Sequence, residues 1–247
     1  MPDYSELARQ FTDKGFLVVE HFFTPAKISE IEAELAQYVE QLSETGAIQS
    51  AVYEPQQPGK QPQIRNLFHM EKYSEYFTAL AKAPELLNLA RAIFRDEPVS
   101  MGVELFGKPA RVGSVVPFHQ DNAYFNLTPD DALTVWVALA DVTEANGCVR
   151  YLGGTHKLGN LPHRPSGVKG NSMVLCELPA GDWQETRGLI RRGDAIIHHC
   201  NTIHRSDPNQ SEYDRPGLLF VYKSIRCHID EPRARVYREI SALAAKS

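Results

Sequence analysis

The sequence has little of what marks several large protein classes. Its 247 residues include only four cysteines, Cys148, Cys176, Cys200 and Cys227. They are widely spaced and form no C-x-x-C pair, so no disulfide framework is expected. Reduced, buried thiols in a cytoplasmic protein are the expectation instead. There is no basic excess: 26 Lys and Arg stand against 31 Asp and Glu, a formal net charge of -5. That balance lacks the phosphate-neutralising footprint of a nucleic-acid binder, so DNA and RNA are set aside as partners. No apolar run approaches the length of a membrane span. Residues 1–7 do not read as a basic and apolar leader, and the final Ala-Lys-Ser is not the peroxisomal Ser-Lys-Leu signal. These absences point to the cytoplasm and away from a membrane.

What is present is the composition of an ordinary globular protein, with 43% hydrophobic, 23% charged and 9% aromatic residues. One domain spanning 1–247 is expected, because β barrels and sandwiches often reach this size as single units. The chain divides into a helical part over about 1–98, a β core over about 99–226 and a terminal helix over about 231–245. Tyr4 to Phe11 reads as a short helix, Asp13-Lys14-Gly15 as a turn and Phe16 to Glu20 as a strand. Thr24-Pro25 has the form of an N-cap followed by proline at the first helical position. The helix it opens places Ile28, Ile31, Leu35 and Val39 on one face.

The Gly, Pro and Gln content of Thr45 to Gln63 predicts a long loop, either a surface excursion or a lid. A second helical region follows over about Ser74 to Phe94. From Val99 the pattern turns to β. Ala132 to Ala140 is apolar enough for a strand buried on both faces, and Asn146-Gly147 predicts a hairpin. His156 to Ser172 reads as loop, Met173 to Leu178 as a strand, and Arg192-Gly193-Asp194 as a turn into Ala195 to His199. The last strand is expected over Gly217 to Ser224. Helices first and many short strands after them predict an antiparallel barrel or jelly roll carrying external helices.

One short stretch carries chemistry. In Pro117-Phe118-His119-Gln120-Asp121-Asn122 an imidazole and a carboxylate stand two residues apart, which on a strand directs both to the same face. They can share a metal. A second histidine brought in by folding would complete two imidazoles and one carboxylate, a set that leaves adjacent positions open and suits non-haem Fe(II). An isolated His-x-Asp is common by chance, so its surroundings decide.

Those surroundings resemble a known family. The run His119-Gln120-Asp121-Asn122-Ala123-Tyr124-Phe125, then Trp136-Val137-Ala138-Leu139, Asn146-Gly147-Cys148 and Gly153-Gly154-Thr155-His156-Lys157 resemble the phytanoyl-CoA dioxygenase family. Phe11-x-x-x-Gly15-Phe16 resembles the family's N-terminal unit. Gly193-Asp194 through His204-x-Ser206 to Arg215 resembles its C-terminal signature, so the likeness covers nearly the whole chain. It implies a double-stranded β-helix (jelly-roll, cupin-like) core and an oxygenase dependent on Fe(II), 2-oxoglutarate and O2, with ectoine hydroxylase among the relatives.

By that resemblance His119, Asp121 and His204 would be the iron ligands. Arg215, helped by Ser206, would take the distal carboxylate of 2-oxoglutarate, since a guanidinium offers a fork matched to a carboxylate. An ordinary reading of Arg215 is an ion pair with Glu212 or Asp214. Trp136 is expected beside the cosubstrate or simply in the core, and Arg65 and Glu104 fall where relatives contact cosubstrate or substrate. Asn122, Tyr124 and Arg111 are expected on the substrate side, where their polarity favours a small polar or anionic compound over a long acyl-CoA. His198 and His199 read as hydrogen-bonded histidines near the strand end, and His156 as a loop residue. His21, His69, His163 and His228 carry no motif.

Asp121 separates this chain from related halogenases, which resemble the pattern but have a small residue there; hydroxylation or another oxidation is favoured. Two readings from other classes remain. A cupin-like metal hydrolase or isomerase would use the same three ligands without needing Arg215, and a non-catalytic ligand-binding barrel would tolerate a missing ligand.

Overall fold

The computed structural model describes residues 3–45, 51–56, 58–59 and 61–244. The chain runs α1 (Tyr4–Lys14), β1 (Phe16–Val19), α2 (Pro25–Thr45), β2 (Ala51–Tyr53), β3 (Ile64–Leu67), α3 (Glu75–Leu80), α4 (Pro84–Phe94) and β4 (Pro98–Phe106). Then come β5 (Val116–His119), α5 (Asn122–Phe125), β6 (Leu127–Thr128), β7 (Ala132–Ala138), β8 (Val149–Leu152), β9 (His163–Val168) and β10 (Asn171–Leu175). The last elements are β11 (Glu185–Arg187), β12 (Ala195–His199), β13 (His204–Ser206), β14 (Gly217–Ser224), β15 (His228–Ile229) and α6 (Glu231–Ala244).

Two antiparallel sheets form a jelly roll. The larger has the strand order β1-β12-β7-β14-β4-β3-β2 and the smaller β11-β8-β13-β5. The large sheet is apolar on both faces, and β7 shows why. Its side chains alternate with period two: Leu133, Val135 and Val137 join the helical side of the core, whereas Trp136 and Ala138 point between the sheets with Phe16, Tyr151, Ile196 and Leu219. Against the outer face lie Ile28 and Ile31 of α2, Phe77 of α3 and Leu86 and Leu89 of α4. Thr24 caps α2 as its sequence implies, its hydroxyl accepting from the Lys27 N–H at 3.2 Å.

Several local expectations are corrected. Within the helical N-terminal part the strand expected at Phe16 to Glu20 is present as β1 at one edge of the large sheet, and β2 and β3, which were not expected, form the other edge. The stretch from 45 to 63 is not all loop, since Ala51–Tyr53 pairs with β3; residues 46–50, 57 and 60 within it lie outside the described residues. Asn146-Gly147 makes a turn but not a hairpin. The Asn146 side chain bonds the Thr143 N–H and the Asp141 carbonyl, Gly147 has φ +81°, and the chain crosses from the large sheet to β8 in the small one. The region from His156 to Ser172 contains β9, paired to β10 across glycines at positive φ (Gly167 and Gly170). Pro165 is tolerated there because β9 has no second neighbour. Cys176 is exposed, whereas Cys148, Cys200 and Cys227 are buried, and all four are free.

Among the described residues no helix is long and apolar enough to cross a membrane. Phe220 of β14 is fully buried beneath the helical layer. Phe220→Ala should destabilise the fold by about 3–5 kcal/mol, whereas Val236→Ala on the exposed face of α6 should stay within about 0.5 kcal/mol. Urea unfolding of the two variants checks the contrast.

A candidate metal and carboxylate site

The site begins with a strand register. His204 of β13 is the Cα partner of His119 of β5, which places the two rings 4.1 Å apart between centroids. Asp121 arrives differently from the expectation of a shared strand face. Strand β5 ends at His119, and Asp121 has helical angles (φ -62°, ψ -31°) as the residue entering α5. The helical turn swings its carboxylate back: Asp121 Oδ1 lies 3.6 Å from His119 Nε2 and 3.5 Å from His204 Nε2. Ligand atoms of these three residues all fall within 4.8 Å of one another.

The protons on the two histidines are set by the backbone. Each Nδ1 meets a carbonyl oxygen, Pro117 at 2.8 Å for His119 and Thr202 at 2.9 Å for His204. Nδ1 must therefore carry the hydrogen, which leaves each Nε2 lone pair aimed at the centre. Burial by itself raises the Asp121 carboxyl, but His204, His119 and His198 outweigh it and hold it well below the usual range. Burial, followed by His119, pushes His204 well down. An anion facing two imidazole lone pairs is the donor set of a divalent cation, so the residues fit iron.

The second Asp121 oxygen is fully employed elsewhere. Oδ2 accepts from the Thr134 hydroxyl at 2.9 Å and from His198 Nε2 at 3.0 Å, and His198 Nδ1 lies 3.2 Å from the Tyr151 hydroxyl. This clamp turns Oδ1 toward the histidines. Sequence reasoning placed His198 among hydrogen-bonded histidines but missed Thr134. The signal was available, because Thr134 is two residues from Trp136 on β7 and so shares its face. His199 lies apart: Nδ1 accepts from the Asn201 N–H at 3.0 Å, and burial brings it down to about 4.

A cavity of about 550 Å³ opens beside the three residues. Trp136, Ser206, Arg215, Glu104 and Tyr124 all line it. Arg215 is 3% exposed, precedes β14 rather than lying on it, and stacks over Trp136 at 5.1 Å from the ring centroid. Its Nε and Nη1 have no hydrogen-bond partner, and burial lowers it to about 10. Neither surface partner of the ordinary reading engages it, since Glu212 bonds Arg111 and Asp214 bonds the Ala110 N–H. Gly217 makes the stacking possible: a Cβ there would stand 2.1 Å from Trp136 Cζ2.

Three expected site residues fall elsewhere. Asn122 is fully buried, its amide folded onto the Leu127 N–H and carbonyl, where it closes the turn after α5. Arg111 sits on the surface, hydrogen bonded to Glu212 at 2.6 Å. Arg65 is buried behind the cavity and donates to the Val115 carbonyl and to Asn171 Oδ1 at 3.1 and 2.9 Å. It braces Asn171, which does line the cavity. Of the described residues between 51 and 63, none lines it. Tyr237 of α6 was not foreseen on the cavity wall, where it meets Tyr124 edge-on at 5.9 Å; nothing local in a terminal helix signals such a contact.

The family model for phytanoyl-CoA dioxygenase (PhyH) matches residues 11–217. The chain belongs to the phytanoyl-CoA dioxygenase family. A protein of Stutzerimonas stutzeri described as a probable alpha-ketoglutarate-dependent hypophosphite dioxygenase is 26% identical over 233 residues, 89% of this chain and 78% of that one. An ectoine dioxygenase of Bordetella parapertussis is 24% identical over 93% of this chain and 78% of its own length. Among solved structures, the epimerase SnoN in complex with Fe3+, alpha ketoglutarate and nogalamycin RO superposes with a TM-score of 0.74 at 21% identity, covering 92% of this chain and 85% of that one. That likeness shows a shared fold.

The hydrogen bond from His198 to Asp121 gives a direct expectation. His198→Ala should weaken metal binding about 10–100-fold, Asp121→Ala should abolish it, and His199→Asn should leave it unchanged. Titration of the apoprotein with Co(II), followed by visible absorption, measures all three.

Proposed function

We propose that this phytanoyl-CoA dioxygenase family member is an Fe(II)- and 2-oxoglutarate-dependent dioxygenase that hydroxylates a small organic substrate, releasing succinate and CO2. Arg215 carries this reading. A guanidinium buried beside a metal-binding cluster, with two nitrogens unpartnered, is a receptor waiting for a carboxylate. A hydrolase or isomerase using the three ligands alone would have no use for it, and a passive barrel would need neither.

His119, Asp121 and His204 would hold the iron, which with 2-oxoglutarate and dioxygen supplies the oxidising chemistry. The chain's own contribution is positional. Arg215 takes the far carboxylate of 2-oxoglutarate, the Trp136 ring lies against the guanidinium, and Ser206, buried and lining the same cavity, offers a hydroxyl. Asp121 would itself be a ligand where related halogenases have a small residue, which favours hydroxylation over halogenation. The cavity must hold cosubstrate and substrate together in about 550 Å³, so a whole acyl-CoA is not enclosed. We also read the chain as one catalytic unit, since α6 supplies Tyr237 to the cavity and β1 closes the edge of the large sheet. The four free cysteines, one of them exposed, favour a reducing, cytoplasmic setting.

The test is spectroscopic. Anaerobic protein loaded with Fe(II) should develop a weak visible charge-transfer band when 2-oxoglutarate is added, and no band from metal-loaded protein would sink the reading. Arg215→Ala should raise the 2-oxoglutarate concentration needed for half of the band about 10–150-fold, the equivalent of about 1.5–3 kcal/mol for hydrogen bonds to a charged group. Its far-UV circular dichroism should stay as in the parent.

A further inference from the structure

Glu104 lines the cavity and, among the described residues, no hydrogen bond or ion pair engages its carboxyl. Arg215 aside, the other charged groups on the cavity wall lie beside groups of opposite sign. Arg205 bonds Glu185 and Asp207, His69 lies 3.4 Å from Glu71, and the Glu71 carboxylate also accepts from the Val103 N–H at 2.8 Å. Burial pushes Glu104 up to about 8, with Asp121 and Glu71 adding repulsion. A carboxyl left in such a place is largely protonated near pH 7 while the cavity is empty, and its demand is for a cation that would let it ionise.

Register fixes where that demand acts. Glu104 of β4 pairs with Leu219 of β14, which pairs with Trp136 of β7. Glu104 therefore lies two strands from the indole beneath Arg215, on the order of 10 Å away at the usual spacing. The neighbouring inward row is Gly102, Val221 and Thr134, and Thr134 touches Asp121. Glu104 thus faces the space beside the metal cluster, away from the stacked guanidinium. Around that space stand Phe68 and Phe106, edge-on at 5.7 Å, together with Phe125 and Tyr124.

Charge balance gives the sign of the missing partner. With the site filled as proposed above, the positive charges of Fe(II) and Arg215 offset those of Asp121 and dianionic 2-oxoglutarate. Glu104 is then the acid left over. We propose that Glu104 is the counter-ion for a cationic group of the substrate, so that the enzyme acts on a small organic amine, held as its ammonium between Glu104 and the wall of Phe68, Phe106 and Phe125. Aromatic faces add a favourable quadrupole to the carboxylate's charge. This narrows the small polar or anionic compound expected from the sequence and drops its anionic alternative: of Asn122, Tyr124 and Arg111, on which that expectation rested, only the uncharged Tyr124 reaches the cavity. It rests on the dioxygenase reading.

Three probes of matched shape test it by anaerobic calorimetry on protein holding Fe(II) and 2-oxoglutarate: cyclohexylmethylammonium, cyclohexylmethanol and cyclohexanecarboxylate. The ammonium should bind about tenfold or more tighter than the alcohol, with the carboxylate weakest. Glu104→Gln should erase that order while the 2-oxoglutarate charge-transfer band keeps its intensity and midpoint. Equal binding of the three probes, a preference for the carboxylate, or a preference that survives Glu104→Gln would overturn the proposal. So would loss of 2-oxoglutarate affinity in Glu104→Gln, which would assign the carboxyl to the cosubstrate. If Glu104→Gln does not fold, the charge series on the parent protein still decides. Absence of the band before any probe is added counts against the dioxygenase reading alone, and the same series run with metal only then tests Glu104 separately.

Discussion

The antiparallel register between β13 and β5 is the constraint on which the site depends. It makes His204 and His119 direct cross-strand partners, so two residues 85 positions apart in the chain present their imidazoles to one point. A slip of one residue would turn either ring to the opposite face of the small sheet. The register is secured on both sides, because β13 also pairs with β8 through His204 and Tyr151. Tyr151 in turn stacks on Phe16 at 4.8 Å between centroids, which ties the ligand strand to the edge of the large sheet.

From this fixed pair the remaining geometry follows outward. Asp121 enters from a helical turn, and its two oxygens are given different work: one faces the histidines while the other is clamped by Thr134 and His198 from the large sheet. The clamp spans the two layers of the jelly roll, so metal-ligand geometry and sheet packing are mechanically linked. Preorganisation of this kind lets a site bind its ion without reorganising. At the far end of the cavity the same two layers trap Arg215 against Trp136, and the absence of a Cβ at Gly217 provides the room.

The cavity is also a statement about charge. Burial displaces Arg215 and Glu104 in the direction of neutrality; two guanidinium nitrogens of Arg215 have no partner, and among the described residues no hydrogen bond or ion pair engages the Glu104 carboxyl. Two groups of opposite sign, set two strands apart on the same sheet, favour two ligands of opposite charge at distinct places in the cavity. A hydrophobic wall around them strengthens both attractions by excluding water.

How much of this was legible in the sequence can be traced residue by residue. The continuous apolar run of β7, the proline-marked start of α2 and the Gly193 turn are local signals, and each was read correctly because the forces involved act within a few residues. Asn146-Gly147 misled because a turn's chemistry fixes its bend but not which sheet receives the next strand. Arg111 and Asn122 misled because polarity says that a side chain seeks a partner and not which partner it finds: one found Glu212, the other a backbone turn. The sequence by itself determined the strand and helix periodicities, the layered β architecture and a His-x-Asp pair able to share a metal with a further histidine. Only the tertiary structure decided which oxygen of Asp121 faces the histidines, that Arg215 is buried and unpartnered, and that Glu104 stands alone across the cavity. Those properties belong to contacts between distant segments, where desolvation and the company of other charges set the energy of a group, and no window along the chain contains them.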